Sequence, residues 1–375
     1  MKKILHISNW YPNKWNDIEA IFIKEQYDLF SEVTESNLLH VEVRNDNSTW
    51  FKYQKVQYSD NETGYYILTK IKSFRIIEIL TTFLLLWVLR KSKYKQYDVL
   101  HFHIVYPLLT YYHWFKKIIK TPVIISEHWS AFHFNFFMPK TTRKLDRIKN
   151  IFKQNIPVIT VSKALLNDIQ EFSGSNDFPS IIIPNVIDHS VYKYKPQHNS
   201  NSIPEFFIVN FWREIKNPMP MLSAFAELHK KDVNYSLKIG GYGDYLQNMK
   251  LHVKKLGIEQ HVKFLGKMKK KQIANQLIKS DAYLFSSKYE TFSAVCAQAL
   301  CCGCPLIGPA IPAIQEYAGE KEMINLTTDD KKGWEDALSA FIINKNKFNR
   351  KQIAIDAQEY LSHKKIQKQY ISFIS

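Results

Sequence analysis

Cysteine is confined to one short stretch of this chain. Cys296, Cys301, Cys302 and Cys304 lie together in an apolar run, too close to staple 375 residues, and no second ligand pair exists for a zinc site. Disulfide architecture is excluded; the expectation is small buried core thiols in a reducing compartment. Long hydrophobic runs are also lacking. The longest, 76–89, is broken by Glu78 and falls short of the about 20 apolar residues that a spanning helix takes. The opening MKKILHISNWYP is too short in apolar residues for a signal peptide, so a cytoplasmic protein is expected. There is no short-period repeat and no low-complexity tract.

Hydrophobic residues make up 45% and charged residues 23%, which suits a folded chain whose two halves can each build a core. The net charge of +16 is spread evenly over residues 1–195 and 196–375. A basic surface attracts nucleotide, acidic lipid or nucleic acid alike. A nucleic-acid-binding protein, however, would need a recognisable module or a clustered patch, and neither is present; no nucleic-acid partner is expected.

Short apolar runs alternate with longer amphipathic stretches, the pattern of βαβ units. In the first half strands are expected over 3–8, 38–43, 99–104, 123–128, 158–162 and 181–185, with helices over 19–31 and 163–172. Residues 184–204 turn polar, with three prolines, and read as a connection. A second alternation follows, with strands over 206–211, 235–241, 262–266, 282–287 and 305–308. The expected domains are 1–190, a linker 191–204, a second domain 205–350 and a helical tail 351–375 that packs back on the first. The fold class is α/β: two Rossmann-like domains with parallel sheets facing a central cleft, where ligands bind beyond the carboxyl ends of the strands.

The chemistry should therefore sit in the loops after strands. The most specific stretch is SSKYETFSAVCAQALCCGCPLIGP, from Ser286 to Pro309. It leaves a strand, passes Glu290 and enters a helix near Phe292. Backbone N–H groups at such a start, around Thr291, Phe292, Ser293 and Ala294, suit phosphate. Glu290 can accept from sugar hydroxyls or can simply be a loop acid. Gln298 follows about two helical turns later. In VNFWREIKNP, Arg213 and Lys216 offer a planar fork and a compact charge, together suited to a diphosphate, or else a solvated basic turn. IGGYGDY brings Gly241 and Gly243 after another strand, and VKFLGK ends one at Gly266. In the first half VIISEHWSAF ends a strand at His128, a candidate partner for a sugar hydroxyl or a satisfied structural histidine. His101 and His103 share one strand face and are read as structural.

The Glu290–Gln298 stretch resembles the signature of retaining glycosyltransferase family 4, also called glycosyl transferases group 1, which has the GT-B fold. That family carries a Glu, seven intervening residues, a second Glu, then small residues with Gly and Pro. Here E-T-F-S-A-V-C-A-Q-A-L-C-C-G-C-P matches, with Gln298 where the second Glu is usual. The resemblance implies that Glu290 contacts the donor sugar and position 298 the nucleotide ribose. Gln298 keeps one acceptor oxygen but loses the bidentate carboxylate. Lys216 matches the family's Arg…Lys loop, while Phe211 stands where some members place Arg. Gly241 and Gly243 resemble the family's Gly-x-Gly turn near the nucleotide, and the backbone after Gly266 resembles the part facing the base. The family's His at the catalytic centre falls on His128; VSK at 161–163 and IPN at 183–185 also look familial. Its glycine-bearing N-terminal loop is replaced by Glu19, Ala20, Ile21 and Phe22.

The reading is a retaining glycosyltransferase using a UDP- or GDP-sugar and a glycan or lipid-linked acceptor, in surface polysaccharide biosynthesis. No Asp-x-Asp is present, so neither a metal nor a cofactor is expected; Arg213, Lys216 and the helix start would stabilise the leaving diphosphate. The apolar 76–89 stretch followed by Arg90, Lys91, Lys93 and Lys95 suits a peripheral contact at the inner face of the cell membrane, or a core helix with a solvated end. Competing readings are a GT-B sugar-nucleotide epimerase, which would act without an acceptor, and a basic nucleic-acid-binding protein.

Overall fold

A parallel strand covered on both faces keeps no side for water, so it reads as an unbroken apolar run. The first strand, β1 (Lys3–Ser8), is buried at every position but Lys3. It opens the first of two units in this computed structural model, which describes residues 1–17, 19–137, 142–196 and 203–375. The first unit comprises Met1–Val186 with His363–Ser375, the second Ile187–Ser362.

In the first unit β1 is followed by α1 (Ile21–Ser31), β2 (Glu35–Asn45), β3 (Lys52–Ser59), β4 (Glu62–Thr69) and α2 (Phe74–Lys91). Then come β5 (Val99–His103), α3 (Tyr112–Ile118), β6 (Val123–Glu127), α4 (Arg143–Phe152), β7 (Val158–Thr160), α5 (Lys163–Ser173) and β8 (Ser180–Ile182). The sheet order is β3-β4-β2-β1-β5-β6-β7-β8. All neighbours are parallel except the β3/β4 hairpin, which the sequence reading did not foresee. The chain runs outward from β1 through β2, then returns to place β5 on β1's other side, so the strand order reverses at β1/β5. Helix α5 shows how local sequence sets the ends: Ser162 Oγ accepts from Leu165 N at 3.0 Å and Gly174 closes it in the left-handed region.

The second unit holds β9 (Glu205–Phe211), α6 (Pro218–Lys230), β10 (Ser236–Tyr242), α7 (Leu246–Leu256), β11 (Val262–Gly266), α8 (Lys270–Lys279) and β12 (Ala282–Leu284). It continues with α9 (Ala294–Cys301), β13 (Leu306–Gly308), α10 (Pro312–Gln315), β14 (Met323–Asn325), α11 (Lys331–Asn344) and α12 (Arg350–Tyr360). The order β11-β10-β9-β12-β13-β14 is wholly parallel and reverses at β9/β12. Its core gathers Trp212, Phe225, Leu237, Ile239 and Trp334. All four cysteines are free and buried there, and burial pushes each thiol pKa well up.

The boundaries differ from the sequence reading. The first unit ends at Val186 rather than at 190, because Val186 still packs with Ile183 in the first core. Residues 191–196 and 203–204 of the expected linker count with the second unit; 197–202 lie outside the described residues. The expected tail 351–375 divides. Helix α12 buries Ile353, Ala354 and Ala357 in the second unit and packs on α9. Only α13 (His363–Ile374) joins the first core, through Ile366, Tyr370 and Ile374 at fourfold spacing. Tyr370 stacks on Phe30 with ring centroids 3.7 Å apart. Among the described residues no helix is long and apolar enough to cross a membrane.

Candidate active site

In the second unit the reversal of strand order places the loops after β9 and β12 side by side, the position where open α/β sheets bind ligands. These loops carry the two charged motifs of the sequence. Lys216 Nζ lies 2.6 Å from Glu290 Oε1, a half-buried ion pair joining residues 74 apart in the chain. Backbone staples hold the loops together: Ser286 Oγ donates to Lys216 O at 2.5 Å, and Lys288 N to Ile215 O at 3.2 Å. Asn217 takes a left-handed φ of 44° to turn the chain into α6, where Pro218 fits the first helical position.

Arg213 makes a contact of another kind. Its guanidinium lies over the Phe211 ring, 4.6 Å from the centroid, and Phe211 in turn meets Tyr242 at 5.0 Å. Lys267 Nζ lies over the Tyr242 ring, 5.5 Å from its centroid. Position 211 thus contributes an aromatic surface, and Arg213 supplies the cation above it. Trp212 between them is fully buried and fixes the loop, its Nε1 donating to Gly240 O at 2.8 Å.

Gly241 and Gly243 are required by packing. Both have positive φ, and a Cβ at Gly241 would stand 1.8 Å from Asn210 O, one at Gly243 2.3 Å from Trp212 O. The turn lets the β10 loop close against the β9 loop. Gly266 ends β11 beside Lys267.

The helix after Glu290 starts later than expected. Ser293 adopts a φ of 61°, so α9 begins at Ala294 and not near Phe292. Glu290 and Gln298 therefore do not share a continuous helical face: the first lies in the loop, the second, half-buried, inside the helix. Tyr317, missed in the sequence, fixes this bend by donating from its hydroxyl to Phe292 O at 2.6 Å and Ser293 O at 3.1 Å.

In the first unit His128 follows β6 directly and is buried. Its Nδ1 lies 3.0 Å from Asn185 Oδ1, so Asn185 of the IPN segment orients this ring. Burial pulls the imidazole pKa down to about 4. The ring is neutral near pH 7, and donation from Nδ1 leaves the acceptor lone pair on Nε2. The preceding Glu127 is fully buried, accepts from Val105 N at 2.7 Å, and has its carboxyl pushed up to about 8 by burial. The signal for Glu127 was an acid closing an otherwise apolar strand. Ala20 takes a left-handed φ of 45° before α1, so the loop reaches a glycine-like conformation without glycine, and Phe22 packs 4.6 Å from the His128 ring.

His101 and His103 belong to the core with His6, and these three are the metal-ligand-type group found among the described residues. Their nitrogens are largely spent on one another and on neighbours. His6 Nδ1 meets His103 Nε2 at 3.0 Å; His101 meets Ser126 Oγ at 2.7 Å and the Tyr370 hydroxyl at 3.0 Å. Burial holds all three pKa values well below the ordinary range, giving a neutral packed cluster.

This arrangement matches a known family along most of its length. The family profile described as Glycosyltransferase Family 4 covers residues 59–191, and Glycosyl transferases group 1 covers 193–359. The chain belongs to glycosyltransferase family 4. Its GT-B architecture is shared with sucrose-phosphate synthase from Thermosynechococcus elongatus, at a TM-score of 0.78, 14% identity, and coverage of 99% of this chain and 98% of that one. It is shared also with the Anabaena protein HepE in complex with UDP and glucose, at a TM-score of 0.73, 14% identity and 99% coverage of both. A curated relative, N-acetyl-alpha-D-glucosaminyl L-malate synthase of Bacillus anthracis, is 30% identical over 172 residues. That match spans 44% of this chain and 44% of the relative's length.

Proposed function

We propose that this protein is a retaining glycosyltransferase that moves a sugar from a nucleotide diphosphate to a glycan or lipid-linked acceptor in surface polysaccharide biosynthesis. The observation that carries the reading is the Lys216–Glu290 pair, held where the second sheet reverses and beside the start of α9. Charge grows on the diphosphate as the glycosidic bond breaks. Cations and backbone N–H groups placed there lower the barrier itself. Lys216, Arg213 and the N–H groups around Ala294 take that role; Glu290 accepts from sugar hydroxyls; Gln298 accepts from the ribose. His128, neutral with its acceptor on Nε2, takes a hydroxyl proton in a hydrogen bond. No carboxylate is assigned as a nucleophile, so the acceptor attacks from the face the diphosphate leaves. The donor is a UDP-sugar: HepE is described with UDP and glucose, and an E. coli trehalose-6-phosphate protein of TM-score 0.72 with UDP-2-fluoro glucose. The acceptor class follows the fold neighbour named as lipopolysaccharide outer core galactosyltransferase. Work on such an acceptor includes a peripheral contact at the inner face of the membrane.

A thermal-shift screen of UDP, GDP and their sugars tests this. A ligand at a hundredfold excess over its Kd stabilises by about 2.7 kcal/mol, so UDP should raise the midpoint by several degrees. No shift with any nucleotide would overturn the donor assignment.

A further inference from the structure

Helix α2 is apolar on both faces: Leu84, Leu85, Val88 and Leu89 are buried against the first unit, yet its outer face is apolar too. Its polar residues Glu78, Thr81 and Thr82 are buried, at 4%, 1% and 2% exposure. Glu78 accepts from the Tyr106 hydroxyl at 2.6 Å and pairs with Lys144; the two threonine hydroxyls donate to the carbonyls one turn back. The outward stripe is apolar as well. Ile76, Phe83 and Trp87 lie at i, i+7 and i+11, within one narrow face, at 44%, 59% and 46% exposure, and Arg90 continues the stripe. A core helix with a solvated end would carry polar residues along that outer stripe.

The stripe does not stop at the helix. Tyr53 on the edge strand β3 meets Trp87 edge-on at 5.4 Å, and Lys91 Nζ caps the same indole at 4.9 Å. Before β3, Trp50 and Phe51 stand 76% and 59% exposed, with Lys70 Nζ 5.5 Å from the Trp50 ring. Among the described residues, seven exposed large hydrophobic side chains fall between positions 50 and 87. Such a concentration of exposed large apolar side chains, joined across the hairpin and helix by the Tyr53–Trp87 contact, marks a docking surface. Its charge names the occupant. From Lys70 to Tyr97 the chain carries seven basic residues and one acid, and that acid is the buried Glu78.

We infer that the outer stripe of α2, together with Trp50, Phe51 and Tyr53 of the hairpin side, forms a docking surface that seats in the interface of an anionic lipid bilayer. Tryptophan and tyrosine suit the boundary between apolar chains and headgroups, and lysine and arginine suit anionic headgroups. A second copy of the chain fits worse, since a twofold contact would set this basic patch against itself. The inference deepens the membrane contact proposed above by naming its surface, and it stands or falls apart from the transfer reaction.

The test is flotation of the full chain with phosphatidylglycerol-containing vesicles, without nucleotide, at low and high salt. Wild type should float at low salt and be partly released by high salt. Phe83→Ser with Trp87→Ser should weaken partitioning about tenfold per ring. Lys93→Gln with Lys95→Gln, at two exposed positions, should weaken it about fivefold each. Trp50→Ser with Phe51→Ser should lower it too; an unchanged result would remove the hairpin side from the surface. Equal flotation with pure phosphatidylcholine would overturn the anionic assignment. Absence of flotation at low salt, or self-association abolished by the same variants, would overturn the lipid. The UDP-induced thermal shift, read on the same variants, checks that they fold; its absence in wild type would count against the donor reading and leave the flotation result untouched.

Discussion

The two units share one plan, a mainly parallel sheet whose strand order reverses, and they fill the reversal with different chemistry. At β9/β12 the loops are ionic and tightly closed: Lys216 on Glu290, Arg213 over Phe211, and glycines where Asn210 O and Trp212 O leave no room for a Cβ. Near β1/β5 the groups are mostly neutral and aromatic, apart from the Glu78–Lys144 pair at the Tyr106 hydroxyl. His128 is held by Asn185, Trp129 meets Trp10 at 4.9 Å and Tyr106 at 6.0 Å, and His6, His101 and His103 lie uncharged beneath. The first kind of site suits a dianion whose charge changes during reaction. The second suits hydroxyls and sugar faces, which need hydrogen bonds and flat apolar contact but no counter-charge. The same fold thus supports either chemistry according to what its loops carry.

The sharpest way to break the comparison is to remove the ionic half. Lys216→Ala should cut turnover about a hundredfold, the scale of losing one donor that stabilises developing negative charge. Donor affinity should fall less, because the charge is largest in the transition state. Glu290→Ala should cost at least about tenfold, the worth of a hydrogen bond to a charged group. If kcat/KM stays near normal in both variants, the dianion site lies elsewhere, and a lowered thermal midpoint beside it would make the pair a structural link.

The neutral half makes the first unit sensitive to pH. Burial depresses the pKa of His6 to about 3 and of His40 and His128 to about 4, with His101 and His103 also well below the ordinary value. A histidine depressed on folding contributes stability above pH 6.5 that is lost as pH falls toward the folded value. Glu42 and Glu127 act oppositely: raised to about 7 and about 8, they lose stability as pH rises from 4.5 through those values. Between pH 6.5 and 4.5 the histidines outweigh the carboxyls, and the net loss is on the order of a few kcal/mol per pH unit. Above 6.5 the carboxyls alone act. Stability of the first unit should therefore peak near pH 6.5. Hydrogen exchange followed by peptide at pH 5, 6.5 and 8 would show faster opening of the first unit at both extremes. Equal response in the two units would sink the idea.

How much of this was legible depends on whether the signal is local. Strand β1 and strands β5, β6, β9 and β11 could be read because apolar runs are a local property. The β3/β4 hairpin could not, since KYQKVQYS alternates at a half-exposed edge and resembles a polar connection. β14 is only three residues long. Lys216 and Glu290 were each visible, but their meeting across 74 residues is tertiary. The start of α9 was misplaced because the left-handed φ at Ser293 delays it, and nothing in that side chain announces such a turn. Asn185 likewise carries no sign in IPN that its amide meets His128. The polarity of α2 was hidden for a related reason: Thr81, Thr82 and Glu78 look solvent-facing until their partners are known.

The smallest expected effect lies within the ionic half, at the residue that departs from the family pattern. Gln298 sits half-buried in α9, five residues into the chain segment that begins at Ser293. Its amide offers one acceptor where a carboxylate offers two. Gln298→Glu restores the second acceptor for vicinal ribose hydroxyls, and a hydrogen bond to a charged group exceeds a neutral one by about 1 kcal/mol, which is roughly fivefold in affinity. The new charge also approaches the donor diphosphate. Repulsion over several ångströms through solvent is screened by salt, whereas the hydrogen bonds are not. Calorimetric titration with UDP at two ionic strengths separates the terms: tighter binding at both places position 298 on the ribose, and weaker binding relieved by salt places it nearer the phosphates. A variant that binds UDP like wild type at both ionic strengths removes position 298 from the nucleotide site.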